Sequence, residues 1–127
     1  MQTSCPFCSL PASRILAEDG SCVMLYDGYP VSEGHTLIVP RRHVSSFRLL
    51  TPEEWQAIAR LSQRQAARLQ EKDPTITGFN FGFNDGIDAG QTVFHAHAHL
   101  IPRRHGDHPT PRGGIRAVLP NKAHYGR

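Results

Sequence analysis

Apolar and polar positions along the chain change period several times, and each period selects a different backbone. Arg14 to Glu18 and Cys22 to Tyr26 flank Asp19-Gly20-Ser21, a turn sequence that joins two antiparallel strands into a hairpin. After Gly34 the run Thr36-Leu37-Ile38-Val39 is apolar and β-branched and stops at Pro40, which predicts a buried strand with His35 at its entrance. Trp55, Ile58, Ala59, Ser62, Ala66 and Leu69 then recur at three- and four-residue spacing, with Arg60, Gln63, Arg64 and Gln70 elsewhere, so a helix over 52–71 carries that stripe into the core. Thr51-Pro52-Glu53-Glu54 supplies its cap, and Asp73-Pro74 ends it. From Gly78 to Asn84 the period falls to two, which places Phe79, Phe81 and Phe83 on one face of a strand. The glycine-bearing loop Asp85–Gly90 leads into a final strand from about Thr92 to Ile101. Beyond Arg103 only Ile115 to Leu119 is apolar enough to pack or add a strand, so the tail either wraps over the domain or a partner subunit or stays disordered.

Composition narrows the class. With 127 residues, 39% hydrophobic and 20% charged, the chain suffices for one domain around one core, and no repeat or second domain is visible. No eighteen apolar residues run together and Met1-Gln2-Thr3-Ser4-Cys5 has no leader pattern, so the expectation is a soluble, cytoplasmic protein without a membrane partner. The formal charge of +3 is compatible with nucleic acid, but the arginines are scattered and concentrate in the tail after Pro102. Small phosphorylated ligands explain the charge as well, and no nucleic-acid partner is expected. Of three cysteines, Cys22 reads as a small buried hydrophobe, whereas Cys5-Pro6-Phe7-Cys8 points to metal or redox chemistry. A thioredoxin-like role is disfavoured because the pair precedes any strand and lacks a βαβ context.

The sharpest feature is His95-Ala96-His97-Ala98-His99. In an extended strand alternate side chains share a face, so three imidazoles would stand in a row opposite Phe94, Ala96, Ala98 and Leu100. The outer pair would have α-carbons about 13 Å apart at about 3.3 Å per residue, too far for one metal with bonds of about 2 Å. Neighbouring imidazoles raise one another's cost of protonation, which keeps a ring nucleophilic near neutral pH.

Gly90-Gln91-Thr92-Val93-Phe94-His95-Ala96-His97-Ala98-His99-Leu100-Ile101-Pro102 resembles the signature of the histidine triad (HIT) family, and Gly34-His35-Thr36-Leu37-Ile38-Val39-Pro40 resembles its GHxLVxP segment. The resemblance implies an α+β fold: an antiparallel sheet of about five strands, the long helix, and a short helical turn near Ser45–Leu50. Residues 1–104 would form the domain, including the CxxC, with 105–127 as its C-terminal tail. It implies hydrolysis at the α-phosphate of adenosine-type nucleotides, dinucleoside polyphosphates or phosphoramidates, through a nucleotidyl-histidine formed on His97. His99 and His35 would complete the catalytic set, and Asp27, Asn84, Gln91 and Thr92 would serve the substrate, Asp27 at the ribose. Gln91 fits the pattern without an evident chemical duty. Zinc-bearing members suggest a structural Zn2+ on Cys5, Cys8, His43 and His95, no organic cofactor, and a homodimer paired through helix and edge strand. A nucleotidyl transferase or phosphorylase using the same intermediate, or a catalytically weak nucleotide-binding protein, are the rival readings. Leu16, Leu25 and Phe47 are candidates to enclose a base.

Overall fold

The computed structural model describes residues 5–125; the reading of Met1–Ser4 as leaderless lies outside them, as do the ends of both proposed domain segments. Five strands form one antiparallel sheet: β1 (Ile15–Asp19), β2 (Cys22–Tyr26), β3 (Thr36–Pro40), β4 (Ile76–Phe83) and β5 (Ala98–Arg104). Their spatial order is β1-β2-β3-β5-β4, so the last strand is inserted between β3 and β4. One long helix, α1 (Pro52–Lys72), packs on the sheet, and a short 3-10 turn spans Phe47–Leu49. The α+β architecture is therefore the one implied by the histidine signature. No helix among the described residues is long and apolar enough to cross a membrane.

β2 and β3 read as continuous apolar runs because both of their faces are covered. Met24, Ile38 and Ala98 meet Ile58 and Leu61 of the helix, while Val23, Leu25, Leu37 and Val39 face the other way against Phe7, Leu10 and Ile15. Cys22 is fully buried, and burial pushes its thiol up to about 11, so it stays protonated and inert.

The helix period was legible but its phase was not. The buried residues are Glu54, Ala57, Ile58, Leu61, Gln65 and Leu69; Ala59 faces solvent and Trp55 is 40% exposed, resting edge-on against Phe47 and Phe83. The polar members of the true stripe are tolerated because each is paired. Gln65 Nε2 donates to Thr36 Oγ1 at 3.1 Å. Glu54 accepts from the Thr51 backbone N–H at 2.8 Å while Thr51 Oγ1 accepts from Glu54 N–H at 3.1 Å, a closed capping box.

Arg42 adds a second clamp, donating Nη2–H to Glu54 Oε1 at 2.9 Å and Nε–H to Oε2 at 3.1 Å. The Arg42 guanidinium, opposed by burial, holds the Glu54 carboxyl below its ordinary range. A depressed carboxylate contributes stability above its unfolded pKa and loses it as pH falls through the folded value. Glu54→Gln should therefore melt below wild type at neutral pH by about 1–3 kcal/mol, with the gap closing as acid titrates the wild-type carboxyl. Thermal melts of both proteins between pH 7 and pH 3 check this; a constant gap would contradict it.

Strand limits shift by one or two residues in β1 and β4, the largest difference from the sequence reading falls in β5, and of the two options left open for the tail's apolar stretch one is excluded. The histidine strand begins at Ala98, not near Thr92, and runs on to Arg104. Ile115–Leu119 adds no strand; Gly114–Val118 is a 3-10 turn.

Candidate active site

The late start of β5 separates the three histidines of the signature. Ala96 N–H leaves the ladder and donates to Val44 O at 2.7 Å, so His95 and His97 lie in a turn and only His99 occupies the strand. The imagined row of imidazoles is replaced by two clusters that share the His95-to-His99 segment.

The first cluster gathers Cys5, Cys8, His43 and His95, whose ligand atoms all lie within 4.8 Å of one another. Cys5 Sγ is 3.4 Å and Cys8 Sγ 3.6 Å from His95 Nδ1; Cys8 Sγ is 3.1 Å and His95 Nδ1 3.2 Å from His43 Nδ1. Ligands bound at about 2.0–2.3 Å to one tetrahedral centre lie about 3.3–3.8 Å apart, so the donor set has nearly the size a zinc ion needs. His95 is fully buried, and its Nε2–H donates to Pro40 O at 2.7 Å, which fixes the tautomer that turns a bare Nδ1 toward the thiols. Burial, with His43 and His97 nearby, also keeps this ring below its ordinary pKa and hence neutral.

The second cluster is His35, His97 and His99, with Asp27 beside it. A hydrogen-bond relay sets its tautomers. Val31 N–H donates to His35 Nδ1 at 3.1 Å, so the His35 proton sits on Nε2 and is donated to His99 Nδ1 at 2.9 Å. His99 must then carry its proton on Nε2, which is buried and without a partner among the described residues. Burial and the adjacent His97 and His35 hold His99 down to about 4, and burial lowers His35 against the raising effect of Asp27, so both rings are neutral hydrogen-bond donors at neutral pH. His97 is fixed differently: its Nδ1–H donates to His95 O at 2.8 Å, leaving the Nε2 lone pair free. Its ring lies 5.0 Å from His99 and 5.0 Å from Phe7, centre to centre. Phe7 also meets His95 edge-on, so the residue between the two cysteines braces both clusters.

Of the other residues singled out, Asp27 Oδ2 stands 3.4 Å from His35 Nε2 while Oδ1 accepts from Tyr29 N–H. Asn84 lines a cleft of about 330 Å³ together with His35 and His99. Gln91 is 4% exposed and spends its amide on backbone: Oε1 accepts from Gly86 N–H, and Nε2 donates to Ser45 O and Val93 O. It ties the loop before the turn. Thr92 is exposed and lines neither this cleft nor the larger one beside Asp27. Leu25 and Phe47 are not free to enclose a base: Leu25 is fully buried under the sheet, and Phe47 packs on Trp55 and Phe83. Side-chain patterning missed Phe7, which sits unremarked inside the CxxC. It also missed the carbonyls of Pro40 and His95 and the N–H of Val31, because backbone groups carry no sequence signature.

Comparison with known proteins assigns the chain to a family. The model of the HIT domain matches residues 11–106. An uncharacterised HIT-like protein of Mycobacterium tuberculosis is 37% identical over 108 residues, 81% of this chain and 74% of that protein. The asymmetrical bis(5'-nucleosyl)-tetraphosphatase of Schizosaccharomyces pombe is 41% identical over 78 residues, 61% of this chain and 42% of that one. A crystal structure of a zinc-bound histidine triad family protein from Mycobacterium smegmatis superposes with a TM-score of 0.73 at 39% identity, covering 82% of this chain and 78% of its own. The chain belongs to the HIT family, whose members include nucleotide hydrolases.

Proposed function

We propose that this protein is a hydrolase of adenosine-type nucleotides that cleaves at the α-phosphate through a nucleotidyl-His97 intermediate. The observation that carries this reading is the pairing of a bare His97 Nε2, set by the bond from Nδ1–H to His95 O, with an unpartnered Nε2–H on the adjacent His99. A nucleophile and a hydrogen-bond donor for phosphoryl oxygen stand side by side. His97 Nε2 gives its lone pair to the α-phosphorus; the bond from phosphorus to the leaving group breaks, and that group keeps the pair and takes a proton from solvent. The adenylylated ring is an imidazolium, and the His95 carbonyl accepting from its Nδ1–H stabilises the charge. Water then adds to phosphorus and loses a proton to solvent, the P–N bond returns its pair to Nε2, and AMP departs. His35 orients His99, Asn84 and Asp27 are assigned to phosphate and ribose, Gln91 orders the loop that follows Asn84, and Thr92 is assigned to a phosphate oxygen.

Incubating the protein with diadenosine tetraphosphate and with an adenylyl phosphoramidate, each with and without inorganic phosphate, tests this. AMP released under both conditions identifies a hydrolase. ADP formed only with phosphate would identify the phosphorylase instead, and binding without turnover a nucleotide-binding protein.

Cys5, Cys8, His43 and His95 would hold a structural zinc ion, supported by the fitted donor distances and by the zinc-bound relative. When bound, the ion crosslinks the chain start to the turn that carries His97 and supplies no chemistry to phosphorus. A homodimer through α1 and β4 is supported by the open edge of β4 and the half-exposed Trp55. Light scattering after size exclusion should give twice the mass of one chain; a monomer would reject the pairing.

A further inference from the structure

Phe7 lies against a ring from each histidine cluster. Its centre is 5.0 Å from that of His97, at an interplanar angle of 56°, and 5.8 Å from that of His95, edge-on at 82°. The chain brings it there through a tight turn, closed by Cys8 N–H donating to Cys5 O at 3.1 Å. The half-buried ring also packs on the apolar patch of Val23, Leu25, Leu37 and Val39. Turn, patch and His95 together hold it beside His97.

Attack through Nε2 turns the His97 ring into an imidazolium, and this positive charge appears only from the transition state onward. The His95 carbonyl meets the charge at Nδ1–H, 2.8 Å away. No carboxylate pairs with His97 among the described residues; Asp27 faces His35 and the Tyr29 N–H instead. The flanking His99, 5.0 Å away on ring centres, is a neutral donor and cannot offset the charge. A carboxylate here would offset it but would also repel the phosphate that must approach. An aromatic ring has no net charge, yet its quadrupole attracts a cation within about 6 Å of its centre. Phe7 stands inside that distance.

We infer that Phe7 is a positioning residue that acts through His97, holding the ring in place and stabilising the imidazolium by a cation–π contact. This rests on the proposed attack by His97. The contact favours the nucleotidyl-histidine over the free enzyme, so it speeds the first displacement. It retards the second, in which water discharges the same cation.

The test reads the two steps separately. Synthetic peptides of residues 1–7, carrying phenylalanine or its 4-fluoro, 3,5-difluoro or 3,4,5-trifluoro form at position 7, are ligated at Cys8 to the rest of the chain and refolded with zinc. Fluorine drains the ring face of electron density while nearly keeping its shape. Formation and decay of nucleotidyl-protein are followed by rapid quench, from diadenosine tetraphosphate and from an adenylyl phosphoramidate, each labelled in the α-phosphate. Formation should slow stepwise with fluorination, by about tenfold for the trifluoro ring, and decay should quicken. Phe7→Leu, which fills similar volume without a π face, should form the intermediate as slowly as the trifluoro protein. AMP affinity by calorimetry, melting temperature and zinc content should stay at wild-type values across the fluorinated series.

Formation rates that ignore fluorination, beside a slow Phe7→Leu, would make Phe7 a packing residue only and overturn the inference. Weakened AMP binding with unchanged formation would place the ring against the nucleoside and overturn it as well. If wild type forms no labelled protein, the nucleotidyl-His97 reading fails and takes this inference with it, whereas a flat fluorine series leaves that reading intact.

Discussion

His97→Asn should abolish AMP release, with kcat falling by at least about a thousandfold, while the protein keeps its fold and its affinity for AMP. Removing the attacking group of a covalent mechanism costs more than removing any group that assists it. The asparagine amide can still donate to His95 O, so the turn survives the loss of the nucleophile. His99→Asn should cost less, about a hundred- to a thousandfold, because it would remove only the one hydrogen bond proposed to a phosphoryl oxygen and leave His97 Nε2 in place. Steady-state rates with circular dichroism on both variants check the order of effects. A His99 variant more damaged than the His97 variant would exchange their roles.

The second large effect belongs to the metal cluster. Protein purified without a polyhistidine tag should contain about one zinc per chain, and removing it, by chelation or Cys5→Ser, should lower the melting temperature by roughly 12–24 °C. An ion present at about a thousand times its dissociation constant stabilises the folded state by about 4 kcal/mol, and in a chain of this size each kcal/mol is worth about 3–6 °C. Activity should fall with it, because His95 would supply a ligand from its ring and already anchors His97 from its carbonyl. Elemental analysis and calorimetry measure both. No metal, together with a Cys5→Ser protein of unchanged stability, would leave the four residues as an ordinary hydrogen-bonded cluster.

How much of this was written in the sequence depended on whether the determining contacts were local. Thr51-Pro52-Glu53-Glu54 declared the helix start because both halves of the capping box lie within four residues. Arg42, which completes the clamp on Glu54 from twelve residues upstream, could not be read from the same stretch. The phase of the helix stripe departs from the hydrophobic pattern for a related reason. Hydrophobicity favours Trp55 and Ala59 for the core, but Glu54 and Gln65 occupy buried positions because Arg42, Thr51 and Thr36 pair with them from outside the helix.

The histidine segment gives the complementary lesson. Its alternating pattern fits a strand, and the pattern alone cannot distinguish a strand from a turn that aims successive side chains at different partners. His95 turns toward the cysteines and Pro40, His97 is held by His95 O, and only His99 enters the ladder. The motif singles out the candidate residues; the tautomer each adopts, and hence which ring has an unbonded nitrogen, is set by Val31 N–H and two carbonyls. The C-terminal turn was legible only as an apolar patch, because its place at the cleft depends on Gly113 closing against Ala123.

The stereochemical course at phosphorus tests covalent catalysis by His97 most directly. A substrate made chiral at the α-phosphorus with sulfur and an oxygen isotope is hydrolysed in isotopic water, and the configuration of the released nucleoside thiophosphate is determined. Two successive displacements, by His97 Nε2 and then by water, predict overall retention. Inversion would mean that water attacks directly and that no nucleotidyl-histidine forms.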